Sequence, residues 1–344
     1  MKVSRFLLWF FLGLFAGLPA LSVFSCSTEG VLKDIIGTNA EAPVFLDCRP
    51  VSSKEMVFRF SRSVRVVSLF FNPVRAAEYV EKDDEISVTF TKALDAGMKL
   101  TADIIVKDSA NNTLNVIVPF RARNDRMPQM IFNELRTEYS KPKVEFLEFK
   151  TLGAGNLGAL RLFIAGHSLS NPAYEFPPTE VKAGEFIVLH LRTVEDGCVD
   201  ETGQDLALSK GAEALDTARD FWVPGAAKLL HKTDALWLMD QDDKIIDAIL
   251  LCEKPDAKWS SEAIAEAAKF IGLKKAWLPS SGDSKADGVG LEPKDAVLTA
   301  GTTNTRTICR DESLPRQNRA GSWYIAATSS ATPGKPNSAK RYSL

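Results

Sequence analysis

The hydrophobic pattern divides the chain into one long apolar run near its start and many short alternating segments after it. Phe6 to Val23 is almost wholly apolar and follows a basic head formed by Lys2 and Arg5. A basic head followed by an apolar run is the arrangement of a secretory signal, so residues 1–25 are predicted to direct export. After residue 42 the apolar residues recur at every second position over short stretches, which is typical of half-buried β-strands.

The apolar run closes on Val23-Phe24-Ser25-Cys26. This ending resembles the relaxed cleavage box of spirochaete lipoproteins. The resemblance implies that the Cys26 thiol receives diacylglycerol and that Cys26 becomes the mature N-terminus, carrying acyl chains such as palmitate. A plain signal cut elsewhere and an uncleaved anchor stay open, because the run approaches the ~20 apolar residues of a spanning helix. Gly13, Gly17 and Pro19 favour processing.

Residues 26–41 are polar overall and are interpreted as a tether. Residues 42–125 then contain short β-rich runs separated by Asn-Pro, Asp-Asp and Ala-Asn-Asn turns, a pattern that predicts an antiparallel sandwich. Phe60 to Val64, Leu94 to Leu100 and Ile104 to Asp108 resemble pieces of the bacterial Ig-like domains of surface proteins. The resemblance implies a spacer or adhesive module.

Residues 128–338 carry a second set of β-rich segments. They are, in chain order, Met130 to Leu135, Val144 to Phe149, Leu160 to Gly166, Tyr174 to Pro177, Val181 to Leu189, Ala235 to Met239 with Lys244 to Leu250, and Trp323 with Thr332 to Asn337. In this order they resemble a lamin-tail-type domain, an Ig-like β-sandwich of nuclear lamins and exported bacterial proteins. The expected fold is therefore all-β, with two Ig-like sandwiches in tandem and a tail at 339–344.

Local chemistry refines the second domain. Asp240 to Asp243 is predicted to be the turn of a hairpin between two apolar strands. The large aromatic side chains of this region are predicted to be core residues rather than a ligand platform, because aromatics dominate cores. They are Phe186, Trp222, Trp237 and Trp323.

An insertion at 253–305 departs from the lamin-tail pattern. Within it, Ile264, Ala267, Ala268 and Ile271 fall on one helical face, a serine precedes them as N-cap, and Gly272 is predicted to end the helix. The helix either covers one end of the sandwich or forms a specific binding surface.

Composition and charge change this picture little. The 344 residues suffice for about two domains of ~150 residues each. The 45% hydrophobic and 25% charged content is that of an ordinary globular protein. Removing residues 1–25 takes away two positive charges and no negative ones, which moves the net charge from −2 to −4. A mildly acidic chain gives no general electrostatic reason to expect nucleic acid as a partner.

Four cysteines remain besides Cys26: Cys48, Cys198, Cys252 and Cys309. They can pair in three ways, and the sequence does not choose among them. A bridge between Cys252 and Cys309 would close the insertion, whereas buried free thiols are the alternative. None has the close spacing that a zinc site needs, so no metal site is predicted from them.

Two motifs resemble catalytic signatures without their structural context. Gly153 to Gly158 matches the dinucleotide fingerprint, but a strand is predicted after it, so no helix N-terminus would hold a pyrophosphate. We interpret it as a flexible hairpin loop. Gly166 to Ser170 lacks the last glycine of a nucleophile elbow, and His167, His190 and His231 have no zinc spacing. His190 is predicted to be a packed or edge histidine. No catalytic residue, metal site or cofactor is predicted.

Two acidic loops offer oxygen ligands that calcium could use, although solvated surface loops are the simpler interpretation. They contain Glu195, Asp196, Asp200, Glu201 and Asp205 in one segment and Asp240, Asp242 and Asp243 in the other.

Two function classes follow. One is a lipid-anchored interaction or architectural protein of the cell envelope, held in the membrane through Cys26 and binding an envelope or host protein or glycan. The other is a carbohydrate-binding or hydrolase-associated exported lipoprotein. Exposed aromatics on one face would favour the second class, and buried tryptophans the first. Ser27 lacks the acidic character that retains enteric lipoproteins at the inner membrane, which favours the outer membrane or cell surface.

Overall fold

The computed structural model describes residues 41–255, 258–280 and 290–343. Within these ranges the chain forms β-strands in five sheets, one α-helix and two short 3₁₀ turns. The predicted all-β class is confirmed. The predicted signal segment, Cys26 and all of the tether before residue 41 lie outside the described residues.

Seven strands in the N-terminal part form what we call the first domain. They are β1 (Phe45–Pro50), β2 (Glu55–Phe60), β3 (Arg65–Asn72), β4 (Ala76–Lys82), β5 (Glu85–Phe90), β6 (Lys99–Lys107) and β7 (Thr113–Arg121). One sheet has the order β1-β2-β5-β4 and the other the order β3-β6-β7, with antiparallel neighbours throughout. The core of this domain lies between the two sheets.

Strict alternation builds that core. In β6, Leu100, Ala102 and Ile104 are buried while the residues between them are half-exposed, because successive side chains of a strand point to opposite faces. Phe71 lies near the centre and makes an edge-on contact with Phe90, with ring centroids 5.0 Å apart. The residues at the alternating apolar positions of the sequence are the ones that are buried.

The second domain contains the remaining strands and the helix. They are β8 (Met130–Arg136), β9 (Phe146–Thr151), β10 (Gly155–Asn156), β11 (Arg161–Ile164), β12 (Tyr174–Glu175), β13 (Glu180–Val181), β14 (Phe186–His190), β15 (Arg219–Trp222), β16 (Asp234–Met239), β17 (Ile245–Cys252), α1 (Glu262–Leu273), β18 (Val297–Leu298), β19 (Ile308–Arg310) and β20 (Trp323–Ile325). A sheet of order β15-β14-β9-β8-β19-β20 and a sheet of order β12-β11-β16-β17-β18 contribute to one apolar core, and β10 pairs with β13.

The predicted hairpin and helix are both present. β16 and β17 pair as antiparallel neighbours across a turn in which Asp243 has a φ of 59°. Helix α1 starts at the N-cap Ser261, whose side chain accepts a hydrogen bond from the Ile264 amide, and it buries the predicted face against β16 and β17. The prediction that Gly272 ends the helix is wrong. Gly272 is a buried helical residue, and the chain leaves the helix at Lys274.

A buried ion pair connects the two large sheets. Asp247 of β17 accepts a hydrogen bond from the Phe132 amide of β8 at 2.8 Å. Arg310 of β19 donates to the same Asp247 oxygen at 3.0 Å and to the Phe132 carbonyl at 2.7 Å. The guanidinium also lies over the Trp323 ring, 4.5 Å from its centroid. Asp247 is therefore fully partnered in an interior where an unpaired carboxylate would be costly.

Of the two alternatives for Cys252 and Cys309, the structure has buried free thiols and not the bridge. Cys48 and Cys198 are also free and are half-buried. Cys252 belongs to the five-stranded sheet, whereas Cys309 belongs to the six-stranded sheet. Its neighbour Ile308 packs into the core between the sheets, so Cys309 points to the opposite face, where its sulfur lies 3.7 Å from the Thr307 hydroxyl. The two thiols therefore face different surroundings.

Candidate binding cleft between the two domains

A cleft of about 460 Å³ lies where the two domains meet, and we call it the junction cleft. The ends of β1 and β7 form its wall on the first domain, and β11, β12 and the β16–β17 turn form its wall on the second. Its charged lining side chains are Arg49, Arg121, Arg123, Arg161, Glu175 and Asp242. Four guanidinium groups against two carboxylates give this lining an excess of positive charge.

Two arginines at the end of the first domain bind carboxylates of the second. Both terminal nitrogens of Arg121 donate hydrogen bonds to the Glu175 carboxylate, and the bond from Nη2 is 2.8 Å long. Arg123 does the same with Asp242, with both bonds at 2.8 Å. The bonds from Arg123 lower the pKa of Asp242, and Asp242 in turn raises the pKa of Arg123. Such partly exposed pairs contribute modestly to stability, but bidentate geometry fixes orientation.

Asn124 anchors the connecting segment. Its side-chain amide donates to the Asn156 carbonyl at 2.7 Å and to the Gly158 carbonyl at 2.8 Å. A Cβ on Gly158 would lie 2.2 Å from the Ala96 carbonyl oxygen of the first domain, so only glycine fits there. In the Gly153 to Gly158 segment, interpreted as a flexible hairpin loop, Ala154 is exposed, Gly155 and Asn156 form strand β10, and Gly158 packs directly against the first domain. The segment is followed by strand β11 rather than a helix.

The other two arginines of the cleft differ in their partners. Arg161 donates to the Asp240 carbonyl and to the Asp243 carboxylate, both at 2.6 Å. Arg49 is exposed, and its guanidinium forms no hydrogen bond or ion pair with the described residues, although its backbone pairs with Val57 in the β1–β2 ladder. Burial raises the pKa of the neighbouring Cys48 thiol, so this cysteine is not an activated nucleophile.

Carboxylates of the two acidic loops accept hydrogen bonds from backbone amides and neighbouring side chains. Glu201 is buried and accepts the amides of Ser209 and Asp220. Asp200 accepts the hydroxyl of Tyr174 at 2.6 Å. In the second loop, Asp240 accepts backbone amides of its own turn, and Asp242 and Asp243 bind the cleft arginines. Within the described ranges, no group of three or more acidic, histidine or cysteine side chains could hold a metal ion.

His190 is packed, as predicted. Its Nε2 lies 2.8 Å from Asp220, and its ring stacks on Trp222 with centroids 3.8 Å apart. Both His190 and Asp220 are at most 1% exposed, so a substrate has no access to them. The His231 ring nitrogen lies 3.6 Å from Asp234, too long for a hydrogen bond, although the His231 amide donates to that carboxylate at 3.2 Å. Gly166 also donates its amide to Asp234, whereas the Ser168 hydroxyl closes a local turn and, in the described part of the chain, has no hydrogen bond to a histidine.

The sequence did not reveal a pair of buried carboxylates beneath the segment 332–337, which we call the strap. Glu134 accepts the Thr332 amide, and Glu148 accepts the Gly334 amide at 2.5 Å. Burial raises the pKa of Glu134 and raises that of Glu148 to about 8. Both residues lie on strands whose alternation suggested an exposed face. The only signal that could have revealed them is the distant Thr-Pro-Gly-Lys-Pro-Asn segment that covers them.

Comparison with known protein families gives a match for the second domain. The family TP_1001_2nd, described as a protein second domain, matches residues 128–325, more than half of the chain. The chain belongs to this family. The TP_1001_2nd region includes β8 to β20 and α1, whereas the first domain and the strap lie outside it.

Two similar proteins accompany the TP_1001_2nd match. An uncharacterized protein of Treponema pallidum (strain Nichols) is 26% identical over 205 residues, which cover 56% of this chain and 51% of that protein. The chain thus spans about half the length of this relative. The crystal structure of a DUF4876 family protein from Bacteroides thetaiotaomicron covers 78% of this chain and 86% of its own, at 10% identity and a TM-score of 0.28.

In the part of the chain that the structure describes, no helix has the length and apolar character to cross a bilayer. The predicted lipid site, Cys26, lies before the described residues.

Proposed function

We propose that this protein is a lipid-anchored extracytoplasmic interaction or architectural protein of the cell envelope. In this proposal acylated Cys26 holds the chain at the outer membrane or cell surface. Two Ig-like sandwiches follow, the second of lamin-tail type, and they present their surfaces to an envelope or host component. Multiple acyl chains are needed for stable anchoring, because a single chain binds a bilayer only marginally.

The observation that carries the proposal is the bonded junction between the domains. Arg121 and Arg123 bind carboxylates of the second domain, and Gly158 allows direct backbone contact. A junction of this kind supports a stiff two-domain unit that holds a binding surface at a defined distance from an anchor. A flexible linker would not hold such a distance.

The tryptophans favour this class over the carbohydrate-binding or hydrolase-associated alternative. Trp222, Trp237, Trp277 and Trp323 are all less than 9% exposed. A sugar platform needs an aromatic face open to solvent, and these four side chains lie in the interior instead. Trp259 is half-buried, and the exposed Phe70 and Tyr79 lie on β3 and β4, which belong to different sheets and do not form one aromatic face.

The anchor is tested with Cys26→Ala. We expect the wild-type chain to enter the detergent phase and to incorporate labelled palmitate, and the variant to do neither. Cys48→Ala is the matched control, since it removes a half-buried thiol of the first domain and leaves Cys26 in place. Unchanged labelling of the Cys26→Ala protein would rule out the anchor. In a separate experiment, affinity capture from envelope extracts with residues 27–344 as bait would identify the partner.

A further inference from the structure

Two open sheet edges meet at the junction cleft. β1 is an edge strand of the four-stranded sheet and β7 an edge strand of the three-stranded sheet, and both end in the cleft wall. An edge strand presents main-chain N–H and C=O groups that its own sheet does not use. These groups can pair with an extended peptide, which is how many peptide-binding domains work.

The register shows which residues point outward. Val51, just after β1, donates its amide to the Glu55 carbonyl of β2 at 2.8 Å. Ala122, just after β7, donates its amide to the Met98 carbonyl just before β6, also at 2.8 Å. Backbone direction alternates along an antiparallel edge strand, so Cys48 and Arg121 turn their main-chain groups away from the sheet. Pro119 has no N–H, which limits uncontrolled pairing along this edge. At the cleft, Arg121 thus presents an outward N–H and C=O, whereas Pro119 offers only its carbonyl.

Positive charge accompanies this open backbone. Arg49 lines the cleft, and within the described ranges its guanidinium forms no hydrogen bond or ion pair, although its charge contributes to the lowered pKa of Asp47. A second hollow of about 500 Å³ shares Pro119 and Arg121 with the cleft and contains the exposed Lys99. The end of β7 therefore lies between Arg49 of β1 and Lys99 of its sheet neighbour β6, which pairs in register with Arg121, in a chain whose overall net charge is negative.

We propose that the junction cleft binds an extended acidic segment of a partner protein. Its main chain pairs with the outward groups at the end of β7, and its carboxylates bind Arg49 and Lys99. A flat bilayer does not reach a recess between two domains, and a polysaccharide lacks the amide groups that a sheet edge pairs with. The inference rests on the proposed function as an interaction protein and names the chemistry of the partner.

The test uses residues 27–344 and a fluorescein-labelled decapeptide of alternating Glu and Val, followed by fluorescence polarisation. We expect Arg49→Ala to weaken binding about tenfold, the effect of losing one charge-assisted hydrogen bond. Lys99→Ala should also weaken it. Arg75→Ala is the matched control, because Arg75 is an exposed arginine of the same domain that lines neither hollow. It should bind the probe as the wild type does.

Two further probes separate pairing from charge alone. A decapeptide N-methylated at alternate residues keeps its carboxylates but cannot pair along one edge, and it should bind at least tenfold more weakly. Equal binding of the two peptides, of a sulfated heparin octasaccharide or of anionic phosphatidylserine vesicles would overturn the proposal, as would unchanged affinity of Arg49→Ala. Because this fragment lacks Cys26, such a result leaves the acylation test untouched.

Discussion

The two domains share an all-β architecture but bury different side chains. Among the described residues, the first domain buries one polar or charged residue, Asp108, the connecting segment buries Asn124, and the second domain buries twenty-three. The first domain is held together by alternation of apolar residues, which tolerates many conservative exchanges. The second also depends on buried groups that each need a particular partner, because an unsatisfied buried polar group costs more than a satisfied one contributes.

Tryptophan fluorescence separates the two domains in an unfolding experiment. No tryptophan occurs in residues 42–125, and every tryptophan after the predicted signal lies in the second domain. They are Trp222, Trp237, Trp259, Trp277 and Trp323. Fluorescence therefore follows the second domain, while far-ultraviolet circular dichroism follows both.

The largest expected effect comes from Arg310→Ala. This change leaves Asp247 as a buried carboxylate without its cation and removes the ionic link between the two large sheets, while the hydrogen bond from the Phe132 amide remains. We expect the free energy of unfolding of the second domain to fall by about 3–5 kcal/mol. Urea unfolding followed by tryptophan fluorescence measures this loss.

Arg59→Ala provides the matched control in the first domain. Arg59 also binds an aspartate, Asp47, but both side chains are at least 40% exposed. The loss there should be much smaller, because solvent screens an exposed ion pair. Equal losses for the two variants would contradict the view that the domains differ in their dependence on buried charge.

A smaller effect is expected from pH at the strap. The pKa of Glu148 is raised in the folded protein to about 8, above its ordinary value, so the folded state binds the proton more tightly than the unfolded state. The resulting stabilisation is complete below the unfolded pKa and is lost as pH rises through about 8. Between pH 5 and pH 8 the second domain should lose roughly 2–4 kcal/mol of stability.

Glu148→Gln tests this through the slope of stability against pH. The amide cannot ionise, so the slope should be shallower than in the wild type, although the variant starts from a lower stability because one oxygen acceptor is lost. Glu134 keeps some slope, since its pKa is also raised. Glu78→Gln, at an exposed position of the first domain, should leave the slope as it is. An unchanged slope in Glu148→Gln would assign the pH dependence to other groups.

The same contrast explains how much could be predicted. The strands of the first domain, the β16–β17 hairpin and the buried face of α1 follow from periods of two and 3.6 residues, which depend on near neighbours in sequence. The strap, by contrast, reaches Glu134 across about two hundred residues. Arg49 of the junction cleft has no sequence signal at all, because an exposed arginine at the end of a strand is ordinary surface. Contacts of this kind are set by topology, which the local pattern does not contain.

The smallest effect compares two isoleucines of the three-stranded sheet. Ile104 of β6 is fully buried, and Ile117 of β7 is 66% exposed. Ile104→Val removes one methylene from a close-packed core and should cost about 0.5–1.5 kcal/mol. Ile117→Val should change stability by less than about 0.5 kcal/mol. Circular dichroism should register the first change while tryptophan fluorescence does not. If fluorescence shifts equally, the bonded junction makes the two domains unfold as one unit, and the difference in what they bury does not translate into separate stabilities.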